Sequence, residues 1–249
     1  MNTSHDTLRS VSTFGRAAAW FASGWLYLGA AYGMGVSPVL VELSTARRVV
    51  SVVVSNTSAS PTTFQTQLLS WRQEDGADHY AESEDLIVTP AIAQIAAGST
   101  QIFRVALRGR PSLPLEGSYR LILEDISEPG QNQGGSAVSL QFRFSLPVMV
   151  APSVATGPAA RWSLCPATVG KGCVRLDNDG NRRLRLTMLS VEGPGGWQQV
   201  VVGAAGTVLA GAWKTWTYDL SPQHQGVPTR ISARGEGGTT LHGDVTPAQ

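Results

Sequence analysis

Cys165 and Cys173, close together in "SLCPATVGKGCVRL", are the only two cysteines of the chain. In an exported protein an even pair at such spacing points to a disulfide, here one that would staple a hairpin. Zinc is the alternative chemistry, but it needs two further ligands. The histidines, His5, His79, His224 and His242, are scattered, with His5 in the leader. No metal and no cofactor is therefore expected. Acid/base catalysis could in principle use Glu74 with Asp75 or Glu124 with Asp125, yet the first pair lies in the charged stretch "EDGADHYAESED" and the second closes a strand, so both read as solvated surface. His79 shares that charged stretch and has no positioned acid beside it. A phosphate loop, H-E-x-x-H and G-x-S-x-G are all missing, and "GPGGW" (193–197) reads as a turn. The chain does not look like an enzyme. A formal charge of +1 implies neither a nucleic-acid nor an acidic partner, and without a phosphate cradle no nucleotide is expected.

The chemistry that spacing does support is non-covalent. In "SAVSLQFRFSLPVMVAP" (136–152) Val138, Leu140, Phe142, Phe144, Leu146, Val148 and Val150 alternate with mostly polar residues. At about 3.3 Å per residue such a strand would reach roughly 40 Å, far beyond the usual five or six residues. Pro147 lacks the N–H that a central strand must donate, which favours an edge. A long apolar edge is either covered by its own protein or meant to pair with another chain.

Such a strand needs a scaffold, and the composition points to one made of strands. Glycine at 27, proline at 14, abundant valine, threonine and serine, and no long helical period favour short strands joined by turns. Residues 1–35 read as a secretory signal: Arg9 and Arg16, then the uncharged "AAAWFASGWLYLGAAYGMG" ending in small residues. An uncleaved membrane anchor is the competing reading, because the apolar run approaches the roughly 20 residues that span a bilayer. Strands are expected at "VSPVLVEL", "RVVSVVVSN", "FQTQLLSWRQ", twice within "LIVTPAIAQIAAGSTQIFRVAL", at "SYRLILEDI" and in the alternating run. Their intervals suit an immunoglobulin-like sandwich over 36–152. A linker at 153–160, "SVATGPAA", then leads to a smaller sandwich over 161–249. The expected fold is all-β, with two immunoglobulin-like β-sandwich domains in tandem. Trp162, Trp197, Trp213 and Trp216 crowd the second half and read as core or domain interface, with a carbohydrate-binding face as the alternative.

The order of "SPVLVEL", "VVVSN", "LIVTPAIAQIAAGSTQIFRV", "EGSYRLILEDI" and the strand ending in "LPVMVAP" resembles the PapD-like periplasmic chaperones of the chaperone/usher pathway. The wording is most similar to the archaic branch, whose clients resemble spore-coat-U-type pilins. The resemblance spans nearly the whole mature chain and implies a periplasmic protein. It would bind, fold and cap pilin or fimbrial subunits lacking one strand, and deliver them to an outer-membrane usher. By the resemblance, the donated residues are Val138, Leu140, Phe142 and Phe144, with Leu146 following. The family holds the subunit's terminal carboxylate with an arginine and a lysine. Arg47 takes the arginine position with Arg48 beside it, while Pro147 stands at the lysine position and Arg143 is the nearby substitute. The resemblance also implies an interdomain triad of Arg104 and Glu116 with an acid near Gly235, where Glu236 is adjacent. Self-association without a client would hide the edge. The rival function is a secreted two-domain adhesion or carbohydrate-binding protein, which should present an aromatic platform instead of an apolar edge.

Overall fold

Alternating apolar residues build the longest strands, and the side that is apolar decides which way each strand faces. The computed structural model describes residues 33–109, 112–127, 140–166, 168–220 and 226–244. The leader up to residue 32 and Val138 lie outside these. The first half contains β1 (Met34–Ser37), β2 (Val41–Leu43), β3 (Val49–Asn56), β4 (Thr62–Glu74) and β5 (Ala77–Glu82). It continues through β6 (Leu86–Thr89), β7 (Ile92–Ile95), β8 (Thr100–Leu107), β9 (Gly117–Asp125) and β10 (Arg143–Val150). These form two sheets, β1-β3-β8-β6 and β2-β10-β9-β4-β5, with β7 pairing β4. In β3 the residues Val50, Val52 and Val54 point inward, and their buried partners include Phe64, Phe103, Leu121 and Leu123.

The second half contains β11 (Ala160–Leu164), β12 (Lys171–Asn178), β13 (Leu184–Glu192), β14 (Gln198–Val200) and β15 (Gly206–Val208). β16 (Trp213–Asp219), β17 (Arg230–Gly235) and β18 (Thr240–Asp244) complete it. One sheet runs β11-β12-β16 and the other β14-β13-β17-β18, with β15 pairing β13. Trp162 is buried in this second core, and Trp197 and Trp216 pack against it. Trp213 is half-buried beneath the Arg175 guanidinium, 4.1 Å from its ring centre, so these four tryptophans form no exposed platform of the kind a sugar-binding face would need. Cys165 and Cys173 are joined in a disulfide, where β11 runs out beside β12.

Several expected elements are corrected. "VSPVLVEL" is two strands in different sheets, because the chain crosses between them over Pro38–Leu40. The charged stretch after Glu74 is not a loop but β5, exposed along its whole length. Asp75 and Gly76 both adopt positive φ, 51° and 76°, and so make the tight turn that returns β4 into β5. The region around Pro90 and Gly98 holds three strands instead of two. The alternating run is shorter than its pattern suggests: β10 starts at Arg143, opposite Glu124, where β9 is about to end.

Candidate functional site

Among the described residues β10 is a central strand over its last three residues and an edge for the rest. It pairs with β9 from Arg143 to Val150, and the described strand on its other side, β2, covers Val148–Val150. The hydrogen-bond parity follows from two contacts. Asp125 N–H donates to the Phe142 carbonyl at 2.8 Å, and Ala151 N–H donates to the Leu43 carbonyl at 2.8 Å. Even-numbered residues of the strand thus turn their backbone groups toward β9 and odd-numbered ones toward β2 or the open side. Arg143 and Ser145 aim their N–H groups at the open side, and Pro147, the residue with none to offer, sits where the open side ends. The proline costs no bond to β9.

The apolar row on the even positions grades from outside to inside. Leu140 is 69% exposed and Leu146 is 6% exposed. Between them, half-buried Phe142 and Phe144 lie against the rim of the first core. Their rings stack at 6.0 Å with 5° between planes, and Phe144 leans on buried Phe64 at 6.1 Å. Met34 and Val36 of β1 pack against the same core. Leu146, expected at the end of the donated row, belongs instead to the domain's own core, because β9 and the facing sheet close over it.

The expected arginines fall apart. Arg47 is exposed in the turn after β2, whose Ser44 hydroxyl accepts its N–H at 2.9 Å. Arg48 is committed elsewhere, its guanidinium donating to the Gly109 carbonyl. Arg143 stands 3.8 Å from Glu124 across the ladder, both exposed.

Glu116 does join the two halves, but not as the resemblance implies. Its carboxylate accepts from Arg183 Nη1 at 2.7 Å, Arg183 N–H at 2.9 Å and Arg182 Nε at 3.3 Å, with its side chain only 1% exposed. Arg183 also reaches Glu42 at 2.7 Å. Burial works against the Arg183 charge, yet the bond to Glu42 and the charges of Glu116, Glu42 and Glu236 outweigh it and hold its pKa above the ordinary arginine value. Arg104 takes no part: it points outward from β8 between Ser51 and Thr89 and forms no ion pair among the described residues. Glu236 pairs with Arg185 of its own domain at 3.4 Å. The interdomain network is thus two acids of the first domain, Glu116 and Glu42, held by Arg182 and Arg183 of the second.

Three further links were not anticipated from the sequence. The Gln73 side chain donates to the Thr207 carbonyl at 2.8 Å and accepts from Leu209 N–H at 2.9 Å, mimicking a strand pair. Trp71, Met149 and Leu209 are buried together between the sandwiches. Asp78 accepts from Gln73 at 2.8 Å, Trp71 Nε1 at 3.0 Å and Lys214 at 3.2 Å. Burial raises the Asp78 pKa, but these three bonds and the Lys214 charge outweigh it and leave the carboxyl below its usual value. Beside them lies a cavity of about 650 Å³ lined by both halves, with Arg120, Pro147 and Trp71 on one wall and Arg183, Arg185 and Lys214 on the other. No group of histidines, cysteines and acids suited to a metal ion occurs among the described residues.

Comparison with known proteins accords with this geometry. Residues 33–155 match the model of the pili and flagellar-assembly chaperone family, PapD N-terminal domain. No curated protein sequence matches the chain significantly. Among solved structures, the CsuC–CsuE chaperone–tip adhesion subunit complex from the archaic chaperone–usher Csu pili of Acinetobacter baumannii aligns with TM-score 0.65 and 21% identity. That alignment covers 87% of this chain and 100% of that one. The Salmonella enterica SafA pilin–SafB chaperone complex aligns with TM-score 0.62, 16% identity and coverage of 86% and 96%. The E. coli chaperone DraB follows with TM-score 0.57, 15% identity and coverage of 87% and 97%. Two sandwiches in tandem, with an edge left open on the last strand of the first, have the fold of these chaperones, and the first sandwich, over residues 33–155, belongs to the PapD N-terminal domain family of pili and flagellar-assembly chaperones.

Proposed function

We propose that this chain is a periplasmic chaperone that binds, folds and caps pilin subunits by lending them the open edge of β10, and hands them to an outer-membrane usher. The observation that carries this reading is the half-covered strand. Arg143 and Ser145 offer backbone groups that no described strand pairs, at the same place where Leu140, Phe142 and Phe144 present an incompletely buried apolar row. A subunit whose own sandwich lacks a strand would gain main-chain bonds from the first and a filled groove from the second. Each well-buried Leu or Phe contributes roughly 1.5–3 kcal/mol, so three such residues outweigh any exposed ion pair at the rim. No nucleotide enters this scheme, because strand pairing itself supplies the free energy. Without a client, a second copy would pair on the same edge and hide it.

Co-purification tests the proposal. The chain is expressed in a bacterial periplasm with a pilin encoded beside it, in wild-type form and as Leu140→Asp with Phe142→Asp. A soluble one-to-one complex with wild type, and none with a variant that melts as one folded protein, is the expected result. Equal capture by the folded variant would remove the edge from the mechanism.

A further inference from the structure

β5 ends the β2-β10-β9-β4-β5 sheet on the side away from β10, pairs with β4 and is exposed along its whole length. Ser83 N–H donates to the Leu68 carbonyl at 3.4 Å just beyond the Leu69–Glu82 pair, which sets the parity of the ladder. His79 and Ala81 therefore turn their backbone groups to β4, and Asp78, Tyr80 and Glu82 turn theirs outward. No described backbone group bonds these three residues. An edge of this kind is a template for another strand.

The side chains along the edge say which strand. Asp78 is answered by Lys214 at 3.2 Å, and Glu84, beyond the strand, by Arg108 at 3.4 Å. Glu82, and Glu74 and Asp75 at the hairpin turn, have no cation partner among the described residues. Arg72 lies on the opposite face, across from His79. Two β5 edges paired antiparallel about Tyr80 would set Asp78 of each copy against Glu82 of the other, and like charges directly opposite repel, so a second copy is not the occupant. A basic strand meets the opposite situation. Tyr80 is 48% exposed, with one face of its ring stacked on Trp71 at 6.4 Å, which leaves the ring within reach of a cation beside it. We propose that β5 is a second strand-docking edge, and that it takes an extended segment of a partner protein carrying lysine or arginine at alternate positions. Main-chain bonds to Asp78, Tyr80 and Glu82 hold the segment, while its cations flank Tyr80 and meet Glu82. β9 and β4 separate this edge from β10, so one sheet can hold a strand at each end at the same time.

The test uses the ¹⁵N-labelled full chain and three capped octapeptides. One alternates threonine with lysine, one alternates threonine with glutamate, and one is the lysine peptide with proline in place of threonine. The lysine peptide should slow amide exchange at Asp78, Tyr80 and Glu82 and leave His79 and Ala81, already bonded to β4, unchanged. It should bind roughly tenfold more tightly than the glutamate peptide, the scale of one or two cross-strand charge pairs reversed in sign, and the proline peptide should not bind. Glu82→Lys should erase most of that preference, and Tyr80→Pro, which removes an outward N–H but no bond to β4, should abolish binding, with melting curves showing both variants folded. Equal binding of the lysine and glutamate peptides, a preference undiminished in Glu82→Lys, binding that survives Tyr80→Pro, or binding that leaves the three outward amides unprotected overturns the edge. A proline peptide bound as tightly as the lysine peptide reduces the contact to charge alone and overturns the docking of a strand. Protection that rises with protein concentration in the absence of peptide gives the edge to a second copy and overturns the basic occupant. Leu140→Asp should leave binding of the lysine peptide unchanged, and its loss there would move the peptide to β10 and overturn its assignment to β5.

Discussion

Replacing Glu116 with alanine removes the centre of the network between the two sandwiches. The carboxylate is almost wholly enclosed and accepts from Arg183 at 2.7 Å and 2.9 Å and from Arg182 at 3.3 Å. The Arg183 side chain is only 10% exposed, so its loss of Glu116 leaves a largely buried guanidinium with half-exposed Glu42 as its remaining close counter-charge. Breaking one partner of a buried pair costs about 3–5 kcal/mol, most of it the desolvation of the charge left behind. Urea denaturation of wild type, Glu116→Ala, Arg183→Ala and the double variant measures this directly. The single variants should each lose several kcal/mol, and the double variant should recover between about 1 and 3 kcal/mol relative to their sum. A Glu116→Ala loss below about 1 kcal/mol, or strict additivity, would refute the reasoning, since surface pairs behave that way.

Other consequences are open to measurement. Because the folded-state pKa of Asp78 is depressed, its contribution is present above the ordinary aspartate value of about 4 and is lost as pH falls through the lowered value. The stability gap between wild type and Asp78→Asn should therefore be constant near neutral pH and shrink in acid, and a gap that grows below pH 4 would contradict this sign. Leu146→Ala should cost about 2–5 kcal/mol in thermal or urea melts while Leu140→Ala stays within about 0.5 kcal/mol, because one is core and the other exposed. Gly76→Ala should cost more than about 1 kcal/mol, since the position has φ of 76° and an added Cβ would lie 2.8 Å from the Trp213 ring. A neutral melt would show that the turn yields.

How much of this could be read from the sequence depends on where each residue's partners lie. The sandwich core was legible because alternation in Val50, Val52 and Val54 or Leu121 and Leu123 is a local signal. β5 was hidden by its composition: a strand exposed on both faces carries no apolar alternation, and only the Asp75–Gly76 pair hinted at a hairpin. The division of "VSPVLVEL" between two sheets leaves no mark in the apolar pattern, which continues through Val39 and Leu40. In the site, the even-position row and Pro147 were visible, but the point at which the strand turns from edge to interior depends on the three residues of β2 that cover it. Glu116 could be singled out by resemblance, whereas its partners Arg182 and Arg183 lie in a charged run that looks like solvated surface. Trp71 and Arg120 sit on the outward face of their sheet, and only the arrival of Leu209 and Lys214 from the second sandwich turns that face into an interface.

The central claim is that a client strand completes the open side of β10, and amide hydrogen exchange reads that side residue by residue. In the free chain, diluted until it is monomeric so that no second copy covers the edge, the Arg143 and Ser145 amides should exchange quickly, while Phe144 and Leu146, turned toward β9, are protected. On binding a pilin subunit, protection should appear at Arg143 and Ser145 and leave Phe144 and Leu146 unchanged. A stable complex in which the Arg143 and Ser145 amides still exchange at their free rates would contradict the account.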